Sequence, residues 1–430
     1  MYRLFFVLIL ILFSAYFFSP SYCQREQLNE AQQIYQKAKK AYTEKDYGAY
    51  LTNLEQVNRL RNNHPTVIYN LAGAYALIGK KVEAIACLKR VAAMGMVFSP
   101  EKDSDFSSIK ETEEFKSLLV DFEANRKPFG ESKPSIKLLE KGLVTESVAY
   151  DSKRDSFYVG SVHKRKIVSI SGSGEEKEFA TEKDGLWAVL GMKIDTKNDL
   201  LWASMAAIPQ MSGFKPEQKN QTAIIKFDLK KRKLLKKYLP PNNSTTGQLI
   251  GDLVVTPSGD VYATDSLSSA IYLISQKKDE MEVFIKPGSF VSLQGLDLST
   301  NSKELFFADY SLGIFKLDLA SQKITQIVIP DNLTVLGIDG LYYYQNSLIA
   351  IQNGTNPHRV VRLYLDKQAE RIEKSEILEV NNPIFDEPTL GVIVGNYFHY
   401  IANSQWGSVD ESGKLGEKLF EHIILKTELH

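Results

Sequence analysis

The sequence contains little cysteine and no excess of either charge. Two of its 430 residues are cysteine, and 52 Lys and Arg residues balance 52 Asp and Glu residues. If Cys23 is removed with a leader peptide, Cys87 has no partner, so an internal disulfide is not expected. A net charge of zero gives no electrostatic reason to expect an anionic membrane or nucleic acid as a partner. Nucleic-acid binding is also not expected because no basic patch is interleaved with aromatic residues.

The short motifs of several common catalytic sites are also missing. The sequence has no His-Glu-x-x-His, no Gly-x-Ser-x-Gly, no phosphate-binding loop and no Cys-x-x-Cys. The six histidines are scattered, and His399 is expected to pack in the fold rather than bind a metal. Cys87 lies on the apolar side of a helical pattern, which favours a buried thiol without a catalytic role.

The longest apolar run is at the N terminus. Residues Leu4 to Phe13 are apolar, and the small residues Ser21 and Cys23 occupy the positions −3 and −1 relative to Gln24. This pattern predicts a signal peptide over residues 1–23 and therefore an exported protein, periplasmic or secreted. An uncleaved N-terminal anchor is the alternative, because the apolar stretch continues beyond the run. No later segment approaches about 18 consecutive apolar residues, so no membrane span is expected after cleavage.

Residues 24–127 show helical periodicity. Apolar and aromatic residues recur at every third or fourth position, and the pattern repeats. Tyr42 corresponds to Tyr75 and Leu54 to Leu88, offsets of about 33–34 residues, which is the period of a tetratricopeptide repeat. These features predict a helical domain that resembles tetratricopeptide repeats.

The function of this helical domain has two interpretations. A further pattern from Phe106 to Leu119 predicts a helix that caps the stack, but two repeats and a cap are near the minimum for a stable solenoid. The domain therefore either docks a peptide or protein partner or packs beside its neighbour. Pro128 and Gly130 then end the helical pattern and predict a linker over residues 128–132.

From residue 133 to residue 430 one β pattern occurs six times. Its first copy, Glu146 to Ile170, reads as three short strands separated by polar turns. The copies start about 43 to 61 residues apart, the scale of a four-stranded propeller blade. The sixth copy shows three strands, and Ser135 to Leu139 would supply its fourth and close the ring.

The predicted fold class is therefore α+β multidomain. An N-terminal α-helical solenoid resembling tetratricopeptide repeats (24–127) is followed by an all-β six-bladed β-propeller (133–430). A β-sandwich or a parallel solenoid remains the alternative for the second domain.

The first strand of each propeller blade lines the central channel, so the residues that begin these strands should converge at one mouth. The six leading positions, as this set is called below, are Glu146, Leu190, Gly251, Gln294, Asp339 and Thr389. Four carry side-chain oxygen, and two of these are carboxylates, so together they could hold a hard cation such as Ca²⁺ or Mg²⁺. Alternatively, Asp339 and Gly340 form a turn and Glu146 pairs with a local amide or cation.

In this pattern the chain resembles the gluconolactonase and regucalcin (senescence marker protein) family of six-bladed propellers. The resemblance covers residues 133–430 and is strongest over Gln294–Asp309 and Asp339–Gly340. It implies a divalent metal, with calcium the expected ion, and a small-molecule ligand in the channel.

The family resemblance also implies roles for individual residues. Glu146, Gln294 and Asp339 would hold the metal, although Gln294 stands where the family has Asn. Asp252 and Thr389 are expected to contact substrate, although the Asn that precedes the blade-three Asp in the family is replaced by Gly251.

The implied reaction is metal-assisted hydrolysis of a lactone or ester. Asp339 would act as a metal ligand and as the general base. The departures at Gly251 and Gln294 keep open a second class, a non-catalytic exported scaffold that binds a ligand or a protein. Whether the protein is an enzyme is left open by the sequence.

Overall fold

The computed structural model describes residues 20–241, 247–286, 288, 290–410 and 412–430. Most of the predicted signal peptide, including its apolar run, lies outside the described residues, so this prediction and its anchor alternative have no structural counterpart here. In the described part of the chain, no helix is both long enough and apolar enough to cross a membrane.

Five α-helices form the N-terminal part of the described chain. They are α1 (Pro20–Thr43), α2 (Tyr47–Leu60), α3 (Pro65–Leu77), α4 (Lys81–Ala93) and α5 (Glu113–Asn125). Local sequence sets their starts: Asp46 caps α2 by accepting from the Ala49 amide at 3.0 Å, and Pro65 occupies the first turn of α3. The predicted helices are thus found, whereas their classification as tetratricopeptide repeats stays a prediction.

The predicted capping element closes the end of the helical stack. Phe106 precedes α5, and Phe115 lies within it; both are almost fully buried among apolar side chains of α3 and α4. Cys87 of α4 packs at the edge of the same apolar cluster, and burial raises the pKa of its thiol to about 11. A thiol in this environment stays protonated at neutral pH, in agreement with a packing role.

The helical part is attached to the propeller through arginine side chains and main-chain carbonyls. Arg61 Nη2 donates to Ser311 O at 2.9 Å, and Arg359 Nη1 of blade five donates to Met94 O at 2.7 Å. The Arg359 side chain is 2% exposed, and burial lowers its pKa to about 10. These contacts support the interpretation of the helices as a module packed beside the main domain. Docking of a protein partner stays a prediction.

The second part is a six-bladed β-propeller, which confirms the predicted fold. Two short strands precede the blades: β1 (Phe129–Gly130) and β2 (Lys133–Leu138). Blade one comprises β3 (Thr145–Asp151), β4 (Ser156–Ser161), β5 (Lys166–Ser171) and β6 (Glu176–Ala180). Blade two comprises β7 (Ala188–Asp195), β8 (Leu200–Ala206), β9 (Thr222–Asp228) and β10 (Lys233–Tyr238). Blade three comprises β11 (Ile250–Val255), β12 (Val261–Asp265), β13 (Ile271–Ile274) and β14 (Met281–Ile285).

The remaining strands build blades four to six. They are β15 (Leu293–Leu298), β16 (Glu304–Asp309), β17 (Gly313–Asp318), β18 (Ile324–Gln326); β19 (Ile338–Tyr344), β20 (Ser347–Gln352), β21 (Arg359–Leu365), β22 (Ile372–Val380); and β23 (Gly391–Val394), β24 (Tyr397–Ile401), β25 (His422–Glu428). The second strand of a blade packs against neighbouring blades on both faces, and every residue of β12 and β20 is buried. Outer strands are more exposed, and β10 alternates between exposed and half-buried positions before its last residue, the buried Tyr238.

Blade six is completed by the N-terminal strand β2, as predicted. β2 pairs antiparallel with β25, with Leu138 opposite His422 and Lys133 opposite Lys426. This pairing covers the open edge of β25 and joins the two ends of the propeller segment. The predicted linker also contributes: Phe129 pairs with Val380, so β1 adds a fifth strand to blade five.

The closing strand provides a test of the ring. Leu138 is fully buried among apolar residues of blades one and six, whereas Leu139, next to it in sequence, is 73% exposed. We expect Leu138→Ala to lower the free energy of unfolding by about 2–5 kcal/mol because it leaves a cavity at the closure. Leu139→Ala should change it by less than about 0.5 kcal/mol. Denaturant unfolding measures both, and equal effects of the two changes would contradict this account of closure.

Candidate functional site at the channel mouth

β-Bulges lie where the inner strands of blades one to five begin. The register between first and second strands shifts between Thr145 and Val148, Val189 and Met192, Ile250 and Asp252, Leu293 and Leu296, and Ile338 and Leu341. A bulge leaves the extra residue outside the regular ladder and redirects its side chain. Each shift contains one of the leading positions, and the five residues there line a single cavity of about 150 Å³. Five of the six leading positions therefore meet at one cavity.

Hydroxyl groups fix the main chain at several leading positions. Ser204 Oγ donates to Gly251 O at 2.9 Å, and Thr264 Oγ1 donates to Gln294 O at 2.6 Å. In each case the donor belongs to the preceding blade. The residue after the bulge is also restricted: a Cβ at Gly295 would lie 2.4 Å from Leu341 N of the next blade. The inner ends of the blades are therefore held in one arrangement by close neighbours.

The two carboxylates predicted for the site lie at the cavity, and each accepts a hydrogen bond from a neutral side chain. Glu146 Oε2 accepts from Trp406 Nε1 at 2.7 Å. Asp339 Oδ2 accepts from Asn353 Nδ2 at 2.8 Å, and Tyr310 donates to Asn353 Oδ1 at 3.0 Å, which orients the amide. Within the described residues, neither carboxylate forms an ion pair.

This environment raises the pKa of both carboxyl groups. Burial is the largest cause for each. The pKa of Asp339 rises to about 7, with the Asn353 hydrogen bond opposing the increase and the charges of Asp252 and Glu387 adding to it. The pKa of Glu146 rises well above its ordinary value, because burial is reinforced by the nearby charge of Asp339. The site therefore favours a proton or another positive charge near these oxygens.

Asp252 adds a third carboxyl group to the lining. It is 3% exposed, and its Oδ1 accepts from the Leu253 amide at 2.8 Å. Its Oδ2 is buried without a hydrogen-bond partner among the described residues. Burial raises the pKa of Asp252, while the charge of Lys193, deeper in blade two, opposes the increase. An unpartnered buried carboxylate oxygen in a polar cavity is a position for a ligand, a water molecule or a cation.

Gln294 presents an oxygen to the same cavity. Its Nε2 donates to Ser292 Oγ at 3.0 Å, which leaves Oε1 available. A Cβ placed on Gly251 would lie 3.9 Å from this oxygen, so a longer side chain at position 251 would occupy the space beside it. The longer amide of Gln294 and the missing side chain at Gly251 are therefore neighbouring departures from the family pattern.

Thr389 is the leading position that does not line the cavity. It is 1% exposed, and its Oγ1 donates to Glu146 O at 2.8 Å, linking blade six to blade one. Leu390, the next residue, lines the cavity instead. A substrate contact by Thr389 stays a prediction. In the structure its hydroxyl group holds the main chain of Glu146 in place.

Two residues important to the site were not assigned to it by sequence reasoning. Asn353 follows the second strand of blade five, and Asp265, Asp309 and Asn403 lie at or just after the second strands of their own blades, where a turn residue is expected. Asp309 does serve its own turn, accepting from the amides of Ser311 and Leu312, whereas Asn353 reaches Asp339. The position of Asn353 directly after the second strand of its blade was the feature of the sequence that could have indicated its role.

Lys193 is the other residue that sequence reasoning missed. It lies on β7, and its Nζ is 4.8 Å from the ring centroid of Tyr342. Two tryptophan residues have different environments. Trp406 lines the cavity, whereas Trp202 is 3% exposed and packs against Tyr238. His399 is also buried, against Phe157, which agrees with the expected packing role.

The donor set fits a hard cation. Glu146, Asp339 and Gln294 offer only oxygen, the ligand type that Ca²⁺ and Mg²⁺ prefer, and Asp252 Oδ2 is a further oxygen without a partner. Among the described residues, no three His, Cys, Asp or Glu side chains are grouped closely enough to hold a metal ion. The amide oxygen of Gln294 would therefore be needed as a protein ligand beside the two carboxylates.

These features define a six-bladed β-propeller with an oxygen-lined channel mouth. No protein-family model matches the chain, and no curated protein matches it. Solved structures do match, at identities that concern the fold alone.

Three such structures illustrate the match. A gluconolactonase from Xanthomonas campestris is 10% identical, with 71% of this chain and 99% of that chain covered and a TM-score of 0.46. Regucalcin from Agrobacterium tumefaciens, described as a calcium-binding protein, is 12% identical, with coverages of 69% and 96% and a TM-score of 0.45. Virginiamycin B lyase from Staphylococcus aureus is 16% identical, with coverages of 70% and 100% and a TM-score of 0.46.

The raised carboxyl pKa values predict a pH dependence of stability. Without divalent cations, we expect the Tm to fall as the pH rises from about 4 through about 7. The pKa of Asp339 is about 7 in the folded protein, so the folded state retains a proton that the unfolded chain has already released. This contribution is complete below the ordinary carboxyl pKa and is lost as the pH passes about 7.

Asp339→Asn should flatten this profile because it removes the titrating group. Asp331→Asn, in an exposed loop, is the matched control and should retain the wild-type profile. Thermal melting in chelator across this pH range measures the effect. Identical profiles for wild type and Asp339→Asn would contradict the assignment.

Proposed function

We propose that the channel mouth binds one divalent cation, with calcium the expected ion, and that the protein hydrolyses small lactones or esters there. The observation that carries this proposal is the gathering of Glu146, Asp252 and Asp339 around one cavity. The charge of Lys193 partly offsets that of Asp252, but no Lys or Arg side chain is among the described residues that line the cavity. Bringing like charges together in a buried site is unfavourable unless a proton or a cation compensates them.

Glu146, Gln294 and Asp339 would hold the cation. When bound, a cation of this kind polarises an ester carbonyl and stabilises negative charge that develops on its oxygen. Trp406 fixes one oxygen of Glu146, so the other oxygen is the one available as a ligand. Calcium tolerates irregular oxygen coordination better than magnesium does, which suits a set that includes a long amide side chain.

Asp339 has the position of a general base. Its Oδ2 is held by Asn353, which leaves Oδ1 to take a proton from an attacking water molecule. A bound cation would keep this carboxyl group ionised, the form that accepts a proton. Asp252 Oδ2, without a partner, would accept a hydrogen bond from the same water and help orient it.

Export belongs to this proposal. It rests on the apolar N-terminal segment and on the small residues before Gln24. N-terminal sequencing of the protein recovered outside the cytoplasm should begin at Gln24, whereas recovery of the full-length chain in the membrane fraction would favour the anchor alternative.

A second candidate is a binding protein without catalysis. Two observations favour it: one oxygen of Glu146 is already hydrogen-bonded to Trp406, and position 251 lacks a side chain with which to hold a substrate. In this case the cavity would bind a cation and a small molecule but leave the ligand unchanged.

Hydrolysis separates the two candidates. We expect the purified protein with calcium to hydrolyse small lactones or aryl esters, and Asp339→Asn to lower kcat/KM by about 10²–10⁴-fold because the base is lost. Asp331→Asn is the control and should retain wild-type activity. Chelation should abolish hydrolysis in a way that added calcium reverses. Full activity in Asp339→Asn would contradict the proposed base, and calcium binding without hydrolysis would favour the second candidate.

A further inference from the structure

We infer that the substrate is a small monocyclic lactone whose ring carries no polar substituents, rather than a polyhydroxylated sugar lactone. This inference rests on the proposed hydrolase function and specifies its substrate class. It follows from the apolar side chains of the cavity lining.

The cavity lining contains an apolar set as well as an oxygen-bearing set. The apolar wall, as this set is called below, consists of Leu190, Ile208, Leu249, Leu390 and Trp406. Leu190 and Leu390 belong to blades two and six, Leu249 precedes the inner strand of blade three, and Ile208 and Trp406 lie in loops. The carboxylate and amide oxygens come from blades one, three, four and five. Leu190 and Leu390 lie in the two blades beside that of Glu146, so apolar and oxygen-bearing side chains adjoin one another around the ligand.

Four of the five residues of the apolar wall form one packed surface. Leu190, Ile208, Leu249 and Trp406 all belong to one hydrophobic cluster, which also contains the buried side chains of Met211 and Val409. Such a cluster fixes the wall before a ligand arrives and keeps water away from that side of the cavity.

Two loops build the part of this wall above the inner strands. One connects β8 and β9 and contains Ile208, and the other follows β24 and contains Trp406. They are in direct contact, because a Cβ at Gly413 of the second loop would lie 2.5 Å from Pro209 O of the first. Blades two and six therefore cover the mouth together.

The volume of the cavity limits the ligand further. A cavity of about 150 Å³ lined by Leu, Ile and Phe is large enough to bind benzene, a six-membered ring. The cavity at the channel mouth has the same volume, about 150 Å³. The cation and the attacking water would share this space, so an unsubstituted six-membered lactone suits it better than a sugar lactone, which carries several additional hydroxyl and hydroxymethyl groups.

Hydroxyl groups on the edge of the ring that faces the apolar wall would also lack partners, because Ser266, the one hydroxyl side chain among the described lining residues, already donates to Leu249 O at 3.5 Å. Burying a hydroxyl against aliphatic side chains is unfavourable unless it is hydrogen-bonded. Position 251, beside Gln294 Oε1, is a glycine and offers no side chain for such a bond. Trp406 has one N–H group, and that group donates to Glu146. The wall therefore selects a ring with hydrocarbon edges.

The reaction on such a substrate balances without a further co-reactant. Water adds to the carbonyl carbon of δ-valerolactone, the ring C–O bond to that carbon breaks, and the alkoxide leaving group takes a proton. The product is 5-hydroxypentanoic acid, which releases its carboxyl proton to solvent.

A matched pair of lactones tests this inference. The full-length protein with calcium is assayed against δ-valerolactone and glucono-δ-lactone, which share the six-membered lactone ring and differ in its substituents. Each kcat/KM is divided by the uncatalysed hydrolysis rate of the same lactone, because the two differ in intrinsic reactivity. We expect the corrected ratio to favour δ-valerolactone by at least about 100-fold, the size of discrimination that an unpaired polar group can produce.

Variants of the apolar wall connect the preference to the structure. Leu190→Asn and Ile208→Thr should each lower the corrected ratio by about 10-fold or more, since each offers a hydrogen-bonding group to a hydroxylated ring. Ile208 lies in a loop and is only half-buried, so its variant is the safer one if Leu190→Asn fails to fold. Leu239→Asn, at a position that is 62% exposed in blade two, is the matched control and should keep the wild-type ratio.

Each outcome supports or overturns the hydrolase function, the substrate class or the role of the apolar wall. Hydrolysis of glucono-δ-lactone at an equal or higher corrected rate overturns the substrate class and leaves the hydrolase function standing. If neither lactone is hydrolysed, the hydrolase function is overturned, and calorimetric titration with each lactone in the presence of calcium tests the ligand class. Selective binding of δ-valerolactone supports this class. Equal binding of the two lactones, or binding of neither, overturns it. A ratio unchanged in both wall variants overturns the role of the apolar wall.

Discussion

The channel mouth is governed by the burial of carboxyl groups that have no cationic partner among the described residues, and the repulsion between these groups adds to the effect. Glu146 and Asp339 come from blades one and five, and the side chains that donate to them, Trp406 and Asn353, are neutral. A neutral donor stabilises a carboxylate but does not cancel its charge, so the pKa of each group stays raised. A proton or a cation can satisfy this arrangement, and the oxygen-only donor set favours a hard cation.

The propeller makes this unfavourable arrangement possible. Bulges turn the leading residues inward, and hydroxyl groups from preceding blades, such as those of Ser204 and Thr264, hold the carbonyl groups of the bulges. The ring itself is completed by β2 against β25, and the helices are attached to blades four and five through arginines. Folding energy from the large buried surface of the blades therefore stabilises a site that is locally unfavourable, a common property of functional sites.

The repeated β pattern was sufficient to predict the ring and five residues of its cavity. Glu146, Gln294 and Asp339 could be assigned because each begins the same short strand, and a strand of that kind has one place in a blade. The closing strand was predictable for the same reason, since the sixth copy had one strand too few. The outer strands β6 and β22 were missed, because an outer strand lies at the surface and its sequence is mostly polar.

The partners of the site residues could not be predicted from the pattern. Trp406 lies 260 positions from Glu146, and its one-turn helix has no equivalent in the repeat, so only the folded ring brings the two together. Asn353 resembles a turn residue in sequence, and Thr389 resembles a site residue although its hydroxyl supports the main chain of blade one. Repetition predicts positions, whereas hydrogen-bond partners depend on loops that differ between the blades.

Proton release on calcium binding tests the central claim most directly. Calorimetric titration of calcium into the protein at pH 7, in buffers that differ in ionisation enthalpy, reports both the affinity and the number of protons released. The pKa of Asp339 is about 7, and that of Glu146 is also raised, so binding at these oxygens should displace protons, less so as the pH rises. Asp339→Asn should reduce both calcium binding and proton release. Absence of calcium binding would contradict the account. Calcium binding that releases no protons and is the same in Asp339→Asn would also contradict it.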